Sequence, residues 1–189
     1  MNDQPDKHLI NGLEYERVTN VLKETGIIDC RWFDEFAAVR GTIVHDATAL
    51  YDRKDLDMRS IDPRIEGYVK AWIRFRMDNM DIEILECEKR VYSVRKRVAG
   101  RLDILARKNG RIGIIDKKAA TTLNPAVEIQ TAGYEDLYRE MTGYKNGIWR
   151  KAVQLFPDGT YKAKTLDDPN DVNIWNSAVN IINWKKKRR

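Results

Sequence analysis

Two carboxylates and a lysine can be brought together from the sequence alone. Lys108-Asn109-Gly110-Arg111 holds the Asn-Gly pair that favours a two-residue type I′ turn. The Ile- and Val-rich runs on either side, 98–108 and 111–117, read as antiparallel strands. With Asn109 and Gly110 as the turn, Lys108 faces Arg111, and five residues further along each strand Asp103 faces Asp116. The strand period of two puts Arg101 and Lys118 on the same face, opposite one another. Facing residues of this kind lie about 4.5–5.5 Å apart at Cα, and like charges so placed destabilise the pair unless something binds between them. A hard divalent cation, Mg²⁺ or Mn²⁺, is the natural counter-charge for oxygen ligands. Such an ion activates water and polarises a phosphodiester, while Lys118 is placed to orient or deprotonate the water and to offset developing charge. The alternative is that both aspartates are ordinary strand-end residues, solvated or paired with Arg101 and Lys118. Against it stands the position of Asp116, directly after the apolar run Ile112-Gly113-Ile114-Ile115.

The surrounding elements follow from periodicity. Residues 9–18 contain Asn11-Gly12 and predict a small hairpin. Thr19 fits an N-cap for a short helix around Val21–Lys23. Trp32, Phe36, Val39, Ile43, Ala47 and Leu50 recur at helical spacing and predict a helix from Trp32 to about Tyr51 with these residues inward. Asp62-Pro63 opens a second helix to about Met80, burying Ile65, Tyr68, Val69, Trp72 and Phe75. A strand over 82–93 precedes the hairpin, and a helix from Pro125 to Met141, ended by Gly143, follows it. A second hairpin, about 147–156 and 160–165, turns at Pro157-Asp158-Gly159. The last helix starts near Asp168-Pro169 and carries Val172, Trp175, Val179 and Ile182. The order predicts an α/β fold with a mixed central sheet, an antiparallel hairpin at its core and flanking helices.

Composition narrows the chemistry. The 189 residues include 34 Lys+Arg and 29 Asp+Glu, a net charge of +5, which suits an anionic partner. A 42% hydrophobic content is enough for a real core. No run approaches the ~18 apolar residues of a membrane span, and the polar start, with Asp3 and Asp6, lacks a signal peptide's apolar core. The two cysteines, Cys30 and Cys87, provide neither a disulfide framework nor a four-cysteine metal site. A reducing, cytoplasmic setting without membrane attachment is expected. Walker, H-E-x-x-H and G-x-S-x-G motifs are missing, which removes support for an NTPase, zinc protease or serine hydrolase.

Gly100-Arg101-Leu102-Asp103 followed by Ile114-Ile115-Asp116-Lys117-Lys118 resembles the G-x-x-D … D/E-x-K core of the PD-(D/E)XK nuclease superfamily. Arg40-Gly41-Thr42-Ile43-Val44-His45 resembles the R-G-T-x-x-H helix motif of its RecB-like exonuclease branch, which includes many phage nucleases. Gln130 and Tyr134 resemble that branch's Q-x-x-x-Y motif, and Glu88 matches a glutamate on the preceding strand. The segment Arg17-Val18-Thr19-Asn20-Val21-Leu22 is similar to the opening of phage-type members. These elements span residues 40–134 in the expected order, with the opening segment before them. The resemblance implies one restriction-endonuclease-like domain over 1–189, with its core at about 32–165 and a basic tail at 185–189. It further implies an Mg²⁺- or Mn²⁺-dependent deoxyribonuclease of bacterial or phage-infected cells, acting on single- or double-stranded DNA in recombination, repair or phage DNA processing. An exonuclease is the first reading. A structure-selective or nicking endonuclease and a catalytically silent DNA-binding module remain alternatives.

By the same resemblance Asp103, Asp116 and His45 hold the metal, Lys118 is the catalytic lysine, Gln130 and Tyr134 position the lysine side or the nucleic acid, and Glu88 is a supporting or second-metal carboxylate. Two departures concern the packing beneath the site. Lys117 replaces the usual apolar or aromatic residue and by alternation points to the opposite sheet face, and Ala119-Ala120 replaces the usual threonine.

Each motif residue also has a plainer reading: His45 as a structural histidine, Gln130 and Tyr134 as a packed helix face, Glu88 as the partner of a nearby base. Gly41, one turn before His45, favours the ligand reading by allowing close backbone approach. Lys89, Arg90, Arg95, Lys96, Arg97 and Arg101, with Arg40, are expected to contact the phosphate backbone beside the site or else to be a solvated charge run. His8 is expected to be solvated and unimportant. The tail Lys185–Arg189 reads as a frayed end adding non-specific affinity. Of the five tryptophans, Trp184 is the candidate for stacking on a base.

Overall fold

The computed structural model describes residues 7–29 and 35–188. Strands β1 (Lys7–Ile10) and β2 (Leu13–Arg17) form the expected hairpin, with Asn11 and Gly12 at φ 50° and 75° as a type I′ turn requires. Helix α1 (Val18–Glu24) follows at once. Thr19 lies inside it rather than capping it, because burial of Val18, Val21 and Leu22 fixes its first turn by packing.

Helix α2 spans Glu35–Asp52; Trp32 and Cys30 lie outside the described residues. The expected burial of Phe36, Val39, Ile43 and Leu50 is not found, since all four are exposed, Phe36 at 88%. The face that packs is small and narrow, made of Val44, Ala47, Thr48 and Ala49, and the neighbouring face borders a cleft through Ala38, Gly41 and Thr42. Helix α3 (Pro63–Asp78) matches expectation: Asp62 caps it by accepting from the Arg64 N–H at 2.8 Å, and Ile65, Tyr68, Val69, Trp72 and Phe75 are buried.

Strands β3 (Glu83–Ser93), β4 (Val98–Lys108) and β5 (Arg111–Lys118) come next. Asn109 and Gly110 have φ 50° and 74°, and Lys108 faces Arg111 in the expected register. Helix α4 (Ala126–Thr142) ends at Gly143, whose left-handed backbone (φ 72°) lets its N–H donate to the Arg139 carbonyl at 2.8 Å. Strands β6 (Trp149–Leu155) and β7 (Tyr161–Thr165) form the second hairpin, and α5 (Asp171–Lys186) closes the chain. Helix α5 continues through Lys186, with Lys185 Nζ 2.9 Å from the Glu24 carbonyl and Lys186 Nζ 2.8 Å from Glu16 Oε2. These lysines therefore belong to a tethered helix end and not to a frayed tail; Arg189 lies outside the described residues.

Among the described residues, seven strands make one mixed sheet in the order β1-β2-β4-β5-β6-β7, with β3 also paired to β4. Helices α1, α4 and α5 pack on one face around Leu137, Tyr138 and Trp175. Helices α2 and α3 cover the other around Trp72 and Phe75. No described helix is long and apolar enough to cross a membrane.

One edge of β4 is occupied by β3. The opposite edge is divided: β5 pairs with residues 104–108, and β2 pairs in parallel with Val98 and Ala99. Between them, Gly100–Asp103 have no strand partner on that edge among the described residues. The sheet therefore contains a gap at the point where the carboxylates sit.

Candidate active site

The gap opens into a cleft of about 560 Å³. Its floor is β4 and β5, with Asp103 and Lys118; α2 contributes His45, and α4 contributes Gln130 and Tyr134. Side chains from helices on opposite faces of the sheet can reach one space because the sheet is interrupted there. Gly100 is required for this packing: a Cβ at that position would lie 2.6 Å from the Tyr134 ring.

Asp103 takes over where the β4–β5 ladder stops. Its Oδ2 accepts a 2.7 Å hydrogen bond from the Lys117 backbone N–H, and its Oδ1 lies 3.3 Å from His45 Nδ1. On the other side, the β3 register passes from Cys87 opposite Ile104 to Lys89 opposite Leu102. Glu88, between them, has a left-handed backbone at φ 56°, strained for a glutamate, and its side chain turns into the same cleft. Among the described residues, His45, Glu88 and Asp103 can bring ligand atoms within 4.8 Å of one another. Asp116 stands beside that group, its Oδ2 2.8 Å from Lys118 Nζ in an ion pair. Lys118 also donates to Gln130 Oε1 at 3.1 Å, and Gln130 donates to the Tyr134 hydroxyl at 3.0 Å.

The electrostatics divide the two aspartates. Burial alone would raise the Asp103 carboxyl, but His45, by charge and hydrogen bond, and then Lys118 and Lys117 hold it well below the usual range. Asp116 moves the other way: burial raises it, and Lys118 offsets this only in part because Asp103 adds like charge. Glu88 is likewise pushed up by burial and by Asp103. Lys118 is raised despite its burial, by Asp116 and Asp103. Burial, followed by the same two carboxylates, keeps Tyr134 protonated.

Among the described residues, the buried acceptor Glu88 Oε1 has no hydrogen-bond donor, and Asp116 Oδ2 has only the Lys118 ammonium beside it. Buried polar atoms are normally satisfied. An imidazole, several carboxylate oxygens and unfilled acceptor capacity fit a hard divalent cation.

Other expected contacts are placed differently. Arg101 pairs with Glu88 at 2.8 Å and lies opposite Arg90 instead of Lys118, because β4 and β5 diverge beyond Asp103. Lys96 is buried, its ammonium held by Asp136 and Glu140 of α4. It is an internal cation and does not face solvent, as a phosphate contact would require. Arg95 reaches Glu140 at 3.6 Å, and Arg97 lies 5.1 Å over the Tyr15 ring. That turn is six residues from Asp103, about 20 Å along an extended strand, so the basic run does not flank the carboxylates as a unit. Arg40 lies 5.6 Å over the Tyr68 ring and donates to the Ala119 carbonyl at 3.5 Å, joining α2 to the end of β5. A Cβ on Gly41 would meet nothing within 4 Å; this glycine opens onto the cleft and makes no close backbone approach. His8, expected to be irrelevant, lines the cleft with Arg17, and burial together with Arg17, Arg90 and Arg101 lowers its pKa. Only the long-range pairing of β2 with β4 brings it there, which no local signal announces. Trp72 and Trp175 are core, while Trp184 is 55% exposed with Arg188 4.3 Å over its ring.

Comparison with protein-family models and with curated sequences found no match. Solved structures do match. A candidate exonuclease from Eubacterium rectale superposes with a TM-score of 0.60 at 15% identity, over 88% of this chain and 77% of that one. An alkaline exonuclease from Laribacter hongkongensis superposes with a TM-score of 0.43 at 13% identity, over 92% of each chain. The first of these shows that the α/β architecture is shared.

Proposed function

We propose that the protein is a metal-dependent deoxyribonuclease of the PD-(D/E)XK type, RecB-like in its motifs, that removes nucleotides from DNA ends. The observation that carries this reading is the convergence of His45, Glu88 and Asp103 within 4.8 Å, beside the Asp116–Lys118 pair, in an open cleft. The resemblance of the fold to a candidate exonuclease supports it. Asp103, Glu88 and His45 would hold the ion, with Asp116 completing the acidic group. Mg²⁺ or Mn²⁺ bound there supplies Lewis-acid polarisation of the phosphate and a water of lowered pKa.

The remaining chemistry belongs to the chain. Lys118 carries its charge to the edge of the acidic cluster, where it stabilises charge developing on a phosphate and orients the attacking water. Gln130 fixes the lysine through its amide oxygen, and Tyr134, kept protonated, fixes Gln130. Asp103 stays ionised and so remains a ligand across the neutral pH range. Arg101 and Arg17 at the cleft wall are placed for phosphate contact. The protein would act in the cytoplasm of a bacterial or phage-infected cell, in DNA recombination, repair or processing.

The test uses end-labelled linear DNA and closed circular DNA with Mg²⁺, Mn²⁺ or EDTA. Metal-dependent loss from ends with circles left intact is the expected result. Nicked circles would replace the exonuclease with an endonuclease at the same site, and DNA binding without cleavage under every condition would overturn the enzyme reading.

A further inference from the structure

Lys117 is the residue that departs most from the motif, and its surroundings give it a task. Its side chain lies on the α2/α3 face of the sheet with no solvent exposure. There Nζ donates to Thr48 Oγ1 at 2.7 Å and sits 5.1 Å over the Trp72 ring. Thr48 is one turn beyond His45 on α2, and its hydroxyl also lies 3.0 Å from the His45 carbonyl and 2.8 Å from that of Val44. The backbone N–H of the same lysine holds Asp103 Oδ2 at 2.7 Å. One residue thus touches Asp103 directly through its main chain and, through its side chain, the turn of α2 that carries His45 to the other Asp103 oxygen.

We propose that Lys117 is a positioning residue that locks α2 onto β5 and so sets the distance between His45 and Asp103 in the metal-binding group. An ammonium is costly to bury when an apolar residue of similar volume would pack as well. Its charge lowers Asp52, Asp103 and Glu88 through space, yet its one hydrogen bond goes to the Thr48 hydroxyl on the turn that carries His45, and that choice of partner points to a geometric role. The inference rests on the metal-nuclease reading above.

Mn²⁺ binding to the full chain, followed by isothermal titration, separates the two ideas. Lys117→Met keeps the length of the side chain without its charge, and Thr48→Val keeps the branch without the hydroxyl. The expected result is a Mn²⁺ affinity about ten- to a hundred-fold weaker in each variant and no further loss in the double variant. On DNA, kcat falls while KM is unchanged. Wild-type affinity in both single variants would overturn the role of Lys117 and leave the metal site standing. Failure of the parent protein to bind Mn²⁺ would overturn the metal site itself and this inference with it. Should Lys117→Met fail to fold, Thr48→Val still decides: an unchanged Mn²⁺ affinity in it refutes the coupling.

Discussion

Two of the places where the molecule buries charge, the Arg150 network and the sheet gap, are resolved in opposite ways. Around Arg150 every guanidinium nitrogen is used. Nη1 donates to the Glu128 carbonyl at 2.8 Å and to Thr131 Oγ1 at 3.4 Å; Nη2 meets Asp171 Oδ2 at 2.9 Å and the Asp168 carbonyl at 3.3 Å; Nε lies 3.2 Å from Glu135 Oε2. Arg139 fills the other Glu135 oxygen at 2.8 Å. This network joins β6, α4 and α5 and leaves nothing open. At the sheet gap, by contrast, three carboxylates crowd together, Glu88 Oε1 lacks a donor among the described residues, and the single ammonium of Lys118 serves both Asp116 and Asp103. Complete satisfaction marks a structural network, whereas incomplete satisfaction of groups this deeply buried marks a place prepared for something else.

That contrast breaks if substitutions on the two sides behave alike. Lys118→Ala and Asp116→Asn should each lower DNA cleavage by about 10²–10⁴-fold, while urea unfolding of Asp116→Asn shows no loss of stability, since it relieves repulsion from Asp103. Cleavage at the parent rate would remove Lys118 and Asp116 from the site. Arg150→Met should do the reverse and cost about 3–5 kcal/mol in unfolding free energy, because Glu135 and Asp171 would be left buried without their partner. A stability loss below about 1 kcal/mol would show the network to be decorative.

Metal should sharpen the difference further. At a hundred times its dissociation constant, Mn²⁺ would stabilise the native state by about 2.7 kcal/mol, an increment visible in thermal melts, retained in an Arg150→Lys variant that folds, and missing in Asp103→Asn. The smallest effect is expected at Asp62, an exposed cap that serves as a reference for both buried clusters. Hydrogen bonds from the Arg64 side chain and backbone lower its carboxyl to about 2. The stabilisation is therefore complete above the usual carboxylate pKa and fades as pH falls through about 2. Asp62→Ala should flatten acid titration of stability in that window and change nothing at the cleft.

Local chemistry made part of this legible in advance. The Asn109-Gly110 turn set the register of β4 and β5 without help from the rest of the chain, and alternation alone sent Lys117 to the reverse face. The α3 cap and the Gly143 stop were equally local. What could not be read depends on partners distant in sequence. The burial of Lys96 needs Asp136 and Glu140, forty residues and more away; the place of His8 needs the parallel pairing of β2 with β4; and the exposure of Phe36, Val39 and Ile43 reflects how little of α2 the sheet covers. Periodicity identifies a helical face but says nothing of its coverage.

The gap in the sheet also has a consequence for motion. The β1–β2 hairpin, which carries His8 and Arg17 to the cleft, pairs with the rest of the sheet through a short parallel ladder at Glu16–Val98 and Arg17–Ala99 and leaves β1 at the edge, whereas β5 is paired on both sides. Opening free energies follow the extent of such anchoring. Amide protons of β1 should therefore exchange long before those of β5, so this wall of the cleft loosens first at its outer strand, while buried Tyr15 and Glu16 of β2 and the carboxylate floor stay in register.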